Sequence, residues 1–148
     1  MDCAFDVIDG DFSRGPLDPS IRSRLQGAID YLLEDPNVER GVMLRKDLSW
    51  VPFTNTVPPP KNVALIRMGP EDFATLADLM EADDFYGWLH SHPRWAAIPS
   101  HTDIEFHQFL GNMLIYSIPD DCLNQFSTAA VEAVDQERKI QGKSSQWH

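Results

Sequence analysis

The sequence predicts an α/β sandwich, on two observations: helix-period and strand-length apolar segments alternate along the chain, and no repeat or low-complexity block interrupts them. At 148 residues and 43% hydrophobic content the chain has the size and apolar mass of one domain with an ordinary core. The expected unit is therefore 1–148, with a core over about 20–119.

Each element follows from a local signal. After the turn-forming run Pro16-Leu17-Asp18-Pro19-Ser20, the residues Ile21, Leu25, Ile29 and Leu32 fall at helical spacing and predict a first helix to about Glu34. Asp35-Pro36-Asn37 ends it, and Gly41 to Arg45 reads as a short buried strand with Glu39 at the junction. Lys46-Asp47 turns the chain into Trp50-Val51-Pro52-Phe53. The loop from Asn55 to Asn62 follows, because consecutive prolines cannot donate ladder hydrogen bonds. A strand is expected again from Val63 to Met68. Pro70 opens a second helix whose apolar positions are Phe73, Leu76, Leu79 and Met80, closed by Asp83-Asp84. Phe85 to Leu89 and Met113 to Ile118 are strand-length apolar runs. Between them Ser100 or Thr102 can cap a helix to about Leu110, with Gly111-Asn112 as its stop, and a last helix is expected over about 127–140.

Composition excludes several function classes. A net charge of −11 opposes association with phosphate backbones, so no nucleic-acid partner is expected. No apolar stretch approaches the roughly 20 residues of a membrane span. The first residues lack a basic segment followed by an apolar one, so nothing directs export. Cys3 and Cys122 have no ligand or framework spacing and are expected to be buried or idle thiols.

The chemistry concentrates at His90-Ser91-His92, where two imidazoles two residues apart on an extended strand end face the same side. Zinc accepts imidazole nitrogen and carboxylate oxygen, and a catalytic site keeps its fourth position open, so a third protein ligand is required. Asp103 can supply it, because the loop from Pro93 to Pro99 returns the chain to a helix start where an aspartate is already favoured by the helix dipole. A His2Asp set also accepts other divalent ions. His107, four residues beyond Asp103, could approach the same metal, although a helix-face histidine more often packs on its neighbours. Trp95 reads equally as a substrate wall or as packing over the loop, while Trp50 and Trp88 read as core and His101 as exposed or supporting.

His90-Ser91-His92-Pro93, seven residues to Ser100 and two more to Asp103 resemble the HxH-x7-S-x2-D signature of JAMM (MPN-type) zinc metalloproteases. Glu39-Arg40-Gly41-Val42-Met43-Leu44 resembles the glutamate-bearing element that precedes the first strand in that family. The resemblance implies a cytidine-deaminase-like α-β-α sandwich around a mixed sheet. It also implies zinc on His90, His92 and Asp103, Glu39 as general base, and Ser100 as hydrogen-bond donor to a developing oxyanion. Amide or isopeptide hydrolysis of a protein or peptide substrate would follow.

The linking motifs Trp50-Val51-Pro52-Phe53-Thr54-Asn55, Met68-Gly69-Pro70-Glu71-Asp72-Phe73 and Gly87-Trp88-Leu89-His90 look like the JAMM domain of phage tail assembly proteins of the lambda K type. The implied partners are other phage tail-tip proteins, and the implied setting is the host cytoplasm during assembly or the virion tail. Such proteins commonly continue into an NlpC-type cysteine-peptidase domain; a stand-alone module is expected here. Two other functions share the fold: a non-enzymatic structural subunit of a tail tip, and a bacterial peptidase acting on ubiquitin-like conjugates.

Overall fold

The structure is a computed structural model, and it describes residues 19–100, 102–103 and 111–126. Among these, five strands form a mixed sheet in the order β2-β1-β3-β4-β5, flanked by helices, as the sequence predicts. The strands are β1 (Gly41–Arg45), β2 (Trp50–Phe53), β3 (Phe85–His92), β4 (Asn112–Ser117) and β5 (Cys122–Phe126). The helices are α1 (Pro19–Arg24), α2 (Gln26–Leu33) and α3 (Pro70–Glu81). β3 runs antiparallel to β1 and parallel to β4, and β2 and β5 complete antiparallel hairpins at the two edges.

Side-chain alternation sorts the strands onto two cores. One face carries Val42, Leu44, Leu89, Leu114, Tyr116 and Leu123 against Leu25, Ala28, Ile29 and Leu32 of the first helical segment. The other carries Met43, Trp88, Met113, Ile115 and Phe126 against Leu76 and Leu79 of α3. The central strands β1, β3 and β4 are consequently apolar almost throughout, as strands covered on both faces must be. Cys122 is buried on the α3 face, within the buried-or-idle expectation, but it is disulfide-bonded rather than a thiol; Cys3 lies outside the described residues.

The first helix is broken rather than continuous. Leu25 leaves the helical path (φ −96°, ψ 5°), and its N–H is shared between the carbonyls of Ile21 and Arg22 at 3.1 Å each, while its side chain remains fully buried. The 12-residue α3 follows its signals more closely: Pro70 occupies the first turn, and the Asp72 carboxylate accepts from the Gly69 N–H at 3.3 Å.

The strand expected from Val63 to Met68 is not formed. Lys61–Val63 makes a short 3-10 turn instead. The N–H of Arg67 donates to the Asn55 side chain and its carbonyl accepts from Thr56 N–H, so these groups are satisfied by a loop rather than by a ladder. Ile66 and Met68 still reach the core, which is why the apolar alternation there resembles a strand. β5 was not foreseen, since Asn124 and Gln125 interrupt its apolar pattern. Gly111 has φ of 67°, the left-handed value expected of a stop glycine. The expected helices to Leu110 and over 127–140 lie outside the described residues apart from 102–103, which are helical.

Candidate metal centre

The centre of the sheet builds the site. β3 continues past its apolar run as far as His92, so His90 and His92 both project toward the α3 face, two positions beyond Trp88 and four beyond it. Across the antiparallel pair, Gly41 stands opposite His90. Pairing extends one residue beyond β1, because the Ser91 N–H donates to the Arg40 carbonyl at 3.0 Å. Alternation then directs Arg40 and Ser91 to one side and Glu39 to the histidine side. Arg40 is anchored on its own side, with its guanidinium 3.8 Å from the Tyr31 ring centroid and Nη1 donating to the Tyr31 carbonyl at 2.9 Å.

Gly41 explains why Glu39 can enter. A Cβ at that position would lie 2.4 Å from Phe53 Cζ and 3.1 Å from Ile66 Cδ1, so the strand passes beneath Phe53 only because no side chain is present. Glu39 itself is completely buried, contrary to what a glutamate at a helix-to-strand junction ordinarily does.

Asp103 arrives on the connection between the parallel strands β3 and β4. The Ser100 hydroxyl oxygen accepts from the Asp103 N–H at 3.0 Å, while Asp103 Oδ2 accepts from the Ser100 N–H at 2.9 Å. This reciprocal pair is a capping arrangement that fixes the carboxylate's direction. Asp103 Oδ1 then lies 3.0 Å from His90 Nε2, and Oδ2 lies 2.9 Å from His92 Nε2. The two Nε2 atoms are 3.3 Å apart.

The supporting contacts orient the rings. His92 Nδ1 lies 2.8 Å from the Ala96 carbonyl, an acceptor only, so Nδ1 carries a proton and Nε2 is left facing the cluster. His90 stacks on Trp88, with centroids 4.8 Å apart and planes at 22°. Both Glu39 carboxylate oxygens are buried without a hydrogen-bond partner among the described residues.

The electrostatics separate the two carboxyls. Burial, and secondarily the negative charge of Asp103, push the Glu39 carboxyl well above the usual carboxylate range. Burial also opposes ionisation of Asp103, but His90 and His92, through charge and hydrogen bonds, outweigh it and hold that carboxyl well below its usual range. Two carboxyls pushed in opposite directions thus share a small volume.

One potential ligand atom from each of Glu39, His90, His92 and Asp103 lies within 4.8 Å of the others, and all four residues are buried. They are positioned to hold a metal ion: among the described residues, two imidazole nitrogens and a carboxylate converge without an ammonium or guanidinium beside them, and the Glu39 oxygens lack the cation or donor that such a group ordinarily meets. The chain matches no protein-family model and no curated protein.

All five residues singled out from the sequence thus gather here, Ser100 through its hydrogen bonds to Asp103. His101 and His107 lie outside the described residues. Trp95 is partly buried, and its carbonyl accepts from the Ser117 hydroxyl at 2.7 Å. Trp88 is core, as expected, while Trp50 is only partly buried. The supports Arg40, Asn55 and the Ser91 hydroxyl were missed. Asn55 closes the Trp50–Asn55 motif and opens a proline-rich loop, neither of which shows what its amide holds, and Ser91 stands out in the sequence only as the residue between two histidines. No helix among the described residues is long and apolar enough to cross a membrane.

Proposed function

We propose that the chain is a zinc-dependent hydrolase of amide or isopeptide bonds, of the JAMM type its motif resembles. The observation that carries this reading is the pairing of a His-His-Asp cluster with a buried glutamate whose two oxygens have no hydrogen-bond partner among the described residues. Leaving such acceptors unpaired costs on the order of 1–3 kcal/mol or more. Stability alone gives no reason to retain that cost.

Zinc is favoured by ligand chemistry and spacing. Bonds of about 2.0–2.1 Å in a tetrahedral shell separate ligand atoms by roughly 3.3–3.4 Å. The 3.3 Å between His90 Nε2 and His92 Nε2 matches that edge, and the Asp103 oxygens at 2.9 and 3.0 Å are slightly inside it. When bound, zinc would supply Lewis acidity, acidifying water and polarising a carbonyl oxygen.

The protein groups would do the rest. Glu39 takes a proton from water as the oxygen forms its bond to the carbonyl carbon. It then delivers that proton to the amide nitrogen as the C–N bond breaks, giving a carboxylic acid and an amine. Burial suits it to this work, because a carboxyl whose pKa lies well above the usual range is a stronger base once ionised and a ready donor once protonated. Ser100, whose oxygen is already occupied by the Asp103 N–H and lies 3.1 Å from Thr102 Oγ1, can turn its hydroxyl hydrogen toward the carbonyl oxygen as negative charge develops. The resemblance of the linking motifs to lambda K-type proteins suggests a phage tail component as substrate.

Metal analysis of the purified chain tests the centre. Zinc should be retained in Glu39→Gln and lost in His92→Ala; a wild-type chain that takes up no zinc refutes the proposal. Comparing the termini of tail proteins assembled with wild type and with Glu39→Gln, by mass spectrometry, then tests the substrate.

A further inference from the structure

Among the described residues the Glu39 carboxyl has no hydrogen-bond partner, so its direction there is set by its own backbone. That backbone precedes β1 and lies beyond the regular ladder. It is held nonetheless at both polar groups. The N–H donates to the Asn62 carbonyl at 2.8 Å, and the carbonyl accepts from Asn55 Nδ2 at 3.0 Å.

Asn55 uses its full hydrogen-bonding capacity. Besides Glu39, Nδ2 donates to the Leu65 carbonyl at 2.9 Å. Oδ1 accepts from the Val57 N–H at 3.0 Å and from the Arg67 N–H at 3.1 Å. Turning the amide over would set its oxygen against two carbonyl oxygens and its NH2 against two N–H groups, so these four partners fix its orientation. One side chain thereby ties the proline-rich loop to the peptide unit from which the Glu39 carboxyl projects.

We propose that Asn55 is a positioning residue for Glu39, setting the aim of the carboxyl through the Glu39 carbonyl. Its importance for hydrolysis rests on the reading of Glu39 as the base. Its effect on the position of Glu39 does not. A displacement of about 1 Å at a reacting group can cost about 10²-fold in rate, so a hydrogen bond that fixes this peptide unit bears directly on catalysis.

Asn55→Asp is the discriminating variant. It preserves shape and the acceptor for Val57 and Arg67, but places an oxygen against the Glu39 and Leu65 carbonyls. In zinc-free protein labelled with 13C at the glutamate carboxyl carbons, the Glu39 resonance is identified by its loss in Glu39→Gln. It should move in Asn55→Asp, while that of Glu71, on the surface of α3, stays in place. Affinity for zinc alone should remain within about threefold, because His90, His92 and Asp103 are held by other elements.

An unmoved Glu39 resonance in folded Asn55→Asp overturns the proposal. If that variant does not fold, wild type decides. The Asn55 side-chain NH2 should then be protected from exchange with solvent and show scalar coupling to the Glu39 carbonyl carbon, and rapid exchange without coupling overturns the assignment. A wild-type chain that binds no zinc would refute the functional reading alone, leaving the resonance shift to judge Asn55.

Discussion

Replacing Gly41 with alanine is the sharpest perturbation of the sheet that carries the site. The new Cβ would stand 2.4 Å from Phe53 Cζ and 2.7 Å from Phe53 Cε2. Ordinary carbon contacts lie at about 3.5–4.0 Å, so Phe53 or the strand must retreat by about 1 Å. Phe53 has little room to do so, being almost fully buried among Met43, Ile66 and Trp88. Overpacking of this kind costs about 1–3 kcal/mol. For a chain of this size each kcal/mol corresponds to roughly 2–4 °C in Tm, which gives a fall of about 2–12 °C.

Gly27→Ala is the matched control. Its Cβ would meet Trp50 Nε1 at 3.4 Å, an ordinary contact on α2, and alanine in a helix should stabilise by about 0.5–1 kcal/mol. Differential scanning calorimetry should therefore move the two variants in opposite directions. Because Gly41 lies opposite His90 and two residues from Glu39, titration calorimetry of Gly41→Ala with zinc should also show weakened binding. A Gly41→Ala protein as stable as wild type, with unchanged zinc affinity, would refute the account of how β1 passes Phe53.

Further outcomes follow from the same geometry. Zinc at about 100 times its Kd should stabilise the chain by about 2.7 kcal/mol, and chelation should reverse the gain in a thermal melt; an unchanged Tm would contradict a preformed site. In zinc-free protein, Glu39 holds its proton more tightly folded than unfolded, so its contribution to stability falls as pH rises from about 4.3 toward its raised value. Asp103 has the opposite sign: its contribution is present above about 3.9 and is lost as pH falls toward its lowered value. Denaturant midpoints should show Glu39→Gln gaining on wild type as pH rises, whereas a constant difference would exclude the linkage. Ser100→Ala removes the acceptor of the Asp103 N–H and should cost about 1 kcal/mol in chemical denaturation, with weaker zinc binding; unchanged values for both would show that the cap does not orient Asp103.

The features readable from sequence were those whose cause is local. Two histidines at strand spacing necessarily share a face, and Ser100 with Asp103 at capping distance brings a carboxylate to a helix start. The two-sided burial of the centre strands was legible in their unbroken apolar runs. What escaped was decided by distant partners. Val63 to Met68 has apolar alternation, yet Asn55 and Thr56 take the hydrogen bonds a strand would have used. Leu25 sits at perfect helical spacing but lies at the break between α1 and α2, which spacing alone does not register. Asn55 could not be distinguished from any loop asparagine, because its four partners are drawn together by the fold.

The spacing of these contacts along the chain sets an order of assembly. His92 and Asp103 are 11 residues apart, whereas the Arg40–Ser91 contact beside Glu39 spans 51. Shorter loops close at lower entropic cost and earlier, so the two imidazoles and Asp103 can gather before β1 docks on β3. A folding chain could therefore take up a metal ion at these three residues while Glu39, made first on the ribosome, is still elsewhere. On the proposed function, ion capture and hydrolytic competence would then be separate events in time, with the centre of the sheet acting as the final latch between them.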